Sequence, residues 1–301
     1  MKPIVARCVL SSSLCCACTS AADPESEGRR RGLAIDPDAG VQRVVAAPVA
    51  AEQAQPAGDV DAITCQFFWR PSVSEGFAPR DQLAVRLAAP GDERTFERGD
   101  FRVRVGLDDS AAGGGRLVLA FDAGAMSVDD VYDFGAQPFP ANLPAGGHGF
   151  TGLHYLEHPR SGSELQYSCS AGETAGPPAA TPAVIRCEWI AEALEGSNGF
   201  FSLDPRKAHG TKPVSDGAEL TPYRVGASYL PGGMESGGVT VDLAAGKRGG
   251  VHVLYQLHGS DVPANLFAEQ GGFTGTTTVR LDKVDTRVSH RCAVEAPAAT
   301  P

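Results

Sequence analysis

The sequence predicts an all-β protein: two tandem antiparallel β-sandwich domains, immunoglobulin-like or small-barrel, behind a signal peptide and a disordered tether. Three observations carry this. Short runs alternate apolar and polar residues with a period of two. Clusters of Gly, Pro and Asp separate the runs. The pattern also occurs twice, starting 122 residues apart at Cys65 and Cys187 and drifting to 123 at Asn142 and Asn265, which reads as an internal duplication.

Residues 1–22 carry Lys2 and Arg7, then mostly apolar and small residues from Cys8 to Cys18, then the first acids. This is the layout of a secretory signal, too short to span a bilayer as a helix. Cleavage after Ser20-Ala21-Ala22 releases a soluble protein. Processing before Cys18 or Cys16 leaves a lipid-modified N-terminus, and the cysteine-rich end resembles a bacterial lipoprotein signal. It departs from that pattern in having Cys15, not Leu, three residues before Cys18.

Residues 23–60 are rich in Ala, Pro, Gly, Gln and charge and poor in aromatics, so they cannot bury enough apolar surface to offset their ordering entropy. They read as a tether. Residues 61–172 form the first sandwich, 173–183 a second linker, 184–295 the second sandwich and 296–301 a loose tail. Strands are expected in the first copy near 63–69, 82–88, 100–106, 116–122, 128–134, 150–157 and 164–169. In DFRVRVG, for example, Phe101, Val103 and Val105 alternate with Arg102 and Arg104. One face is then dry and one wet, and a second sheet has to cover the dry one.

Of the eight cysteines, four belong to the signal region and four, Cys65, Cys169, Cys187 and Cys292, sit in the first and last strands of the copies. Only the pairs Cys65–Cys169 and Cys187–Cys292 let both copies repeat one topology. Export to an oxidising compartment lets such bonds persist.

The most conspicuous motif is PANLPAGGHGFTG at 140–152, matched by PANLFAEQGGFTG at 263–275. His148, His154 and His158 lie in or after the first copy but face Gly271, Thr277 and Leu281 in the second. The shared letters are backbone punctuation, so the motif reads as a structural turn and the histidines as surface or packing residues. On an extended strand His154 and His158 are about 13 Å apart, too far for one metal.

Asp108, Asp109, Asp129, Asp130 and Asp133 occur only in the first copy and are candidate calcium ligands, calcium being the one possible cofactor. Asp130 aligns with Val253 at an inward position, so the chain there must bend, hydrate or use the carboxylate. Trp69 and Trp189 are candidates for stacking on a ligand or on the sister domain. Ser236 in MESGG resembles the nucleophile turn of trypsin-like proteases in three letters only, and reads as a turn serine. No catalytic residues are assigned.

A net charge of -10 argues against nucleic-acid binding. The abundance of Ala, Gly, Pro and Arg suggests a GC-rich bacterial genome. The expected role is non-enzymatic: an exported cell-envelope protein, either an outer-membrane or periplasmic lipoprotein or secreted, that binds glycan, envelope protein or another copy of itself. Membrane contact is expected only through the lipid anchor. The alternatives are a secreted hydrolase with a site in the first copy or between the copies, a calcium-stabilised adhesion-type module, and a structural spacer.

Overall fold

Alternation of period two becomes, among the described residues, sixteen antiparallel strands in this computed structural model. The described residues are 61–143, 148–172, 183–192, 197–209, 212–231, 237–246, 249–257, 264–267, 271–284 and 286–295. The segments expected as signal, 1–22 with Cys16 and Cys18, and as tether, 23–60, together with residues 173–182, Ser236 and 296–301, lie outside them.

The first half supplies β1 (Ile63–Arg70), β2 (Gln82–Leu87), β3 (Glu93–Arg98), β4 (Phe101–Asp109), β5 (Gly115–Asp122), β6 (Met126–Asp133), β7 (Leu153–Glu157) and β8 (Glu164–Ser170). The second supplies β9 (Val184–Glu192), β10 (Asn198–Leu203), β11 (Val214–Leu220), β12 (Tyr223–Leu230), β13 (Gly237–Ala245), β14 (Gly250–Leu257), β15 (Thr276–Leu281) and β16 (Arg287–Glu295). The expected pattern for the first half lacks β3. Its sequence, ERTFER, has one apolar residue and lies on a sheet edge, where charge blunts pairing with other chains.

Two eight-stranded sheets form, in the orders β11-β12-β13-β14-β7-β8-β1-β2 and β10-β9-β16-β15-β6-β5-β4-β3. Each half therefore folds as two four-stranded blocks, β2-β1-β8-β7 with β3-β4-β5-β6, and β10-β9-β16-β15 with β11-β12-β13-β14. The blocks of the first half face each other, as ring contacts between Phe67 and Phe96 at 5.0 Å and between Phe121 and Tyr167 at 5.0 Å show. Both sheets then run on from one half into the other, where β14 pairs with β7 and β15 with β6. Exchanging the halves exchanges the sheets, and one hydrophobic core extends through both.

Cys65 lies directly opposite Cys169, and Cys187 opposite Cys292, and each pair is a disulfide with an S–S distance of 2.05 Å. The bonds close loops of 104 and 105 residues, worth about 4–5 kcal/mol each through restriction of the unfolded chain.

The motif of Pro, Asn and Gly lies where the chain leaves β6 for β7 in the other sheet, and β14 for β15. Its residues do the same work twice. The Asn142 side chain accepts from the Ala171 amide at 2.8 Å and donates to the Ala171 carbonyl. Asn265 does so with Val294, at 2.7 Å in both directions. Gly149 and Gly272 sit at φ +65° and +63° against the last strand, where a Cβ would meet the Cys169 or Cys292 carbonyl oxygen at 2.2 Å. Thr151 and Thr274 accept from the Cys169 and Cys292 amides, each at 2.8 Å. The motif is thus a latch that fastens each crossover to the disulfide-bearing strand.

Candidate functional site

The reactive side chains of the first half converge at the middle of the sandwich. Parity turns Asp130 inward from β6 and His154 inward from β7, and both are fully buried. In register, Asp130 is opposite Thr277 and His154 is opposite Val253. These four residues line the join of the two halves, a polar pair in one sheet and a histidine–valine pair in the other.

Asp130 accepts from the Tyr167 hydroxyl at 2.5 Å and from the Thr277 hydroxyl. His154 stacks on Tyr167 with ring centroids 4.3 Å apart. Its Nε2 lies 2.8 Å from the Tyr132 hydroxyl and 3.0 Å from the Thr151 carbonyl. Its Nδ1 has no hydrogen-bond partner, because the nearest carboxylate oxygen, Asp130 Oδ2, is 3.6 Å away. Burial pushes the Asp130 carboxyl up to about 6, against the lowering effect of its two hydroxyl donors. Burial pushes His154 down to about 3 and outweighs its hydrogen bond to the Thr151 carbonyl. Tyr132, Tyr167 and Tyr255 are likewise held far above the ordinary phenol range by burial.

This cluster has the residue types of acid–base chemistry but not its access. Among the described residues, a shallow depression lined by Pro159, Arg160, Pro222 and Lys283, and a smaller one over Arg186, Glu188 and Arg291, reach neither Asp130 nor His154. Above the cluster the two crossovers pack against each other through Phe134, Phe150 and Phe267, with Phe150 and Phe267 6.2 Å apart. What the cluster does is join the halves: the Asp130–Thr277 bond ties β6 to β15.

The candidate calcium ligands do not meet. Asp130 is in the core, whereas Asp129, its neighbour, faces outward from the same strand. Asp108 pairs with Arg116 at 3.4 Å, and Asp133 accepts from the Gly135 amide at 2.8 Å. Asp109 ends β4 on the surface. Among the described residues one group has metal-ligand proximity, Cys187, His290 and Cys292, but its sulfurs are joined in the disulfide. Of the histidines, His154 is in the core, and His158 accepts at Nδ1 from the Ser161 amide at 3.0 Å.

Trp69 and Trp189 are partly buried against the core, each over a glycine. A Cβ at Gly99 would come within 2.1 Å of Trp69, and one at Gly199 within 2.6 Å of Trp189. They fill the sandwich at opposite ends of the molecule's strand order, Trp69 on β1 and Trp189 on β9.

Outside the core, the face of the sheet containing β1 carries a row that sequence reading passed over. Register places Asp242, His252, Tyr155, Gln166 and Phe68 side by side on β13, β14, β7, β8 and β1. His252 Nδ1 lies 2.5 Å from Asp242 Oδ1, and the His252 and Tyr155 rings are 5.6 Å apart. Gln166 donates to Glu164 at 2.8 Å, and Glu164 pairs with Arg70 at 2.9 Å. Arg70 in turn sits 4.8 Å over the Phe77 ring, whose centroid is 6.1 Å from that of Phe68. Partial burial, then Glu164, raise the Tyr155 phenol above its ordinary range. The row could not be seen in the sequence because its members come from five strands of both halves.

Comparison of the chain with protein-family models, with curated proteins and with solved structures gives no match. Function therefore rests on this geometry alone.

Proposed function

We infer that the protein is an exported bacterial cell-envelope protein, built by duplication of one disulfide-closed sandwich, with a binding or scaffolding role rather than an enzymatic one. The observation that carries this reading is the burial of the reactive groups. The acid, imidazole and phenols best suited to proton transfer are spent on the join between the halves, while a broad sheet face bearing polar and aromatic side chains stays open to solvent. Two disulfides support an oxidising compartment. The signal-like N-terminus is consistent with it.

A secreted hydrolase is the second reading, and one observation favours it: the hydrogen-bonded Asp242–His252 pair lies on the exposed face, with the two side chains 52% and 45% accessible. Such a pair orients an imidazole in acyl-transfer enzymes. Among the described residues, however, no serine or cysteine is hydrogen-bonded to His252.

Fractionation tests the main reading. Mass spectrometry of the protein from cytosol, envelope and medium is expected to find a processed N-terminus and oxidised cysteines outside the cytosol. A cytosolic protein beginning at Met1 with free thiols at Cys65, Cys169, Cys187 and Cys292 would refute it.

A further inference from the structure

The fold offers the same surface twice, and the two versions differ in chemistry. Because exchanging the halves exchanges the sheets, every outward position on one sheet has a counterpart on the other. Across the first sheet the row reads Asp242, His252, Tyr155, Gln166, Phe68. Across the second, the counterparts read Ala120, Asp129, Thr278, Ser289, Ile190. Beside Asp242 the first row holds an imidazole, two aromatics and an amide; the second holds Asp129, the aliphatic Ile190 and small side chains, with Thr278 and Ser289 bonded to each other at 2.9 Å, and the exposed aromatic of that sheet, Phe200, lies outside the row against Arg186.

Flanking positions diverge in the same sense. Gln66 and Ser168 are opposed on the first sheet where Glu188 and Arg291 are opposed on the second, and Arg291 there donates to Glu188 at 2.7 Å. Arg70 and Glu164 on the first sheet correspond to Glu192 and Arg287 on the second, an ion pair with its charges exchanged. Both sheets keep that ion pair, whereas the aromatic and amide groups of the row stand on the first sheet alone at these positions.

We propose that the outward row His252–Tyr155–Gln166–Phe68 is a binding site for a neutral glycan chain lying across the strands, a reading that rests on the binding role inferred above and names its ligand class. The four strands of the row, at about 4.8 Å spacing, span about 14 Å, the reach of about three linked sugar rings. Pyranose rings have apolar faces that stack on aromatic side chains and hydroxyls that need donors and acceptors at their edges. Tyr155 and Phe68 provide the first, and Gln166 between them, with Gln66, Ser168 and His252, provides the second. Charge gives an acidic chain no partner here, because Arg70, the cation beside the row, is already engaged by Glu164, and Asp242 stands at the row's end. Within the row Gln166 separates Tyr155 from Phe68, so ring faces and hydrogen-bonding groups alternate as a sugar chain requires.

The test uses the full mature chain and cellohexaose, chitohexaose and mannohexaose as probes, read by titration calorimetry. At least one is expected to bind, Tyr155→Ala to weaken it about tenfold or more, and Tyr155→Phe to retain it, because stacking needs the ring and not the hydroxyl. Thr278→Ala, at the counterpart position, is expected to leave affinity unchanged. Circular dichroism and the melting temperature establish that each variant is folded. No binding of any probe, or affinity unmoved by Tyr155→Ala in a folded protein, overturns the proposal. Either result leaves the envelope location to the fractionation experiment, which decides it independently.

Discussion

Acidification is predicted to destabilise the protein with a slope dominated by three fully buried groups, His148, also lowered by burial, adding in the same sense as the other histidines. His154 is held down to about 3 and His290 to about 4, so both are neutral in the fold and each costs stability as pH falls below about 6.5, where the unfolded chain takes up protons. Asp130 works in the opposite direction. Its carboxyl is raised to about 6, so its contribution is complete below its ordinary value near 3.8 and is lost as pH rises through about 6. Each unit of pH is worth about 1.4 kcal/mol per group. Between pH 6 and pH 4 the two histidines therefore subtract about 2.8 kcal/mol per unit and Asp130 returns about 1.4, leaving a net loss of about 3 kcal/mol over the interval.

Two substitutions separate these contributions. In His290→Tyr, which installs the residue that Tyr167 provides at the matching position of the first half, the slope should flatten to about zero. In Asp130→Asn the offset is gone and the slope should double to about 2.8 kcal/mol per unit. The assay is urea unfolding at pH 4, 5 and 6 with disulfides intact, compared as slopes so that any constant cost of repacking drops out. Equal slopes for all three proteins would show that these groups are not buried as described and refute the reasoning.

Replacing either disulfide by an alanine pair, Cys65→Ala with Cys169→Ala or Cys187→Ala with Cys292→Ala, should cost about 4 kcal/mol in denaturant unfolding; a cost below about 1 kcal/mol would contradict the loop-closure account. Asn142→Ala and Asn265→Ala should each lose about 2 kcal/mol from two hydrogen bonds, by equal amounts within error. Gly149→Ala should be worse than either, since its Cβ meets a carbonyl oxygen at 2.2 Å in a left-handed backbone, and a melting temperature equal to that of Asn142→Ala would argue against the latch. Expressed separately, residues 61–172 and 184–295 should not give soluble folded monomers, because each would leave two paired strands of the join, β6 and β7 or β14 and β15, as open edges. A monodisperse monomer of either in size-exclusion chromatography would overturn this.

Alternation in runs such as DFRVRVG, and the placement of four cysteines in first and last strands, made the antiparallel sandwich and its two disulfides legible from the sequence alone. Both depend on local period and on parity, which a chain carries in its order of residues. The misfit at Asp130 was legible too, because an acid at an inward position is a conflict that periodicity exposes. Its resolution was not. The partners of Asp130, Tyr167 and Thr277, lie 37 and 147 residues away, and only the pairing of β6 with β15 and the packing of β8 across the core bring them to it. The same holds for Tyr155, whose neighbours His252 and Gln166 come from different halves. Strand content is written in a local rhythm of burial. Which strands lie side by side is decided by long-range backbone pairing, and with it which side chains form a core polar cluster or an open row.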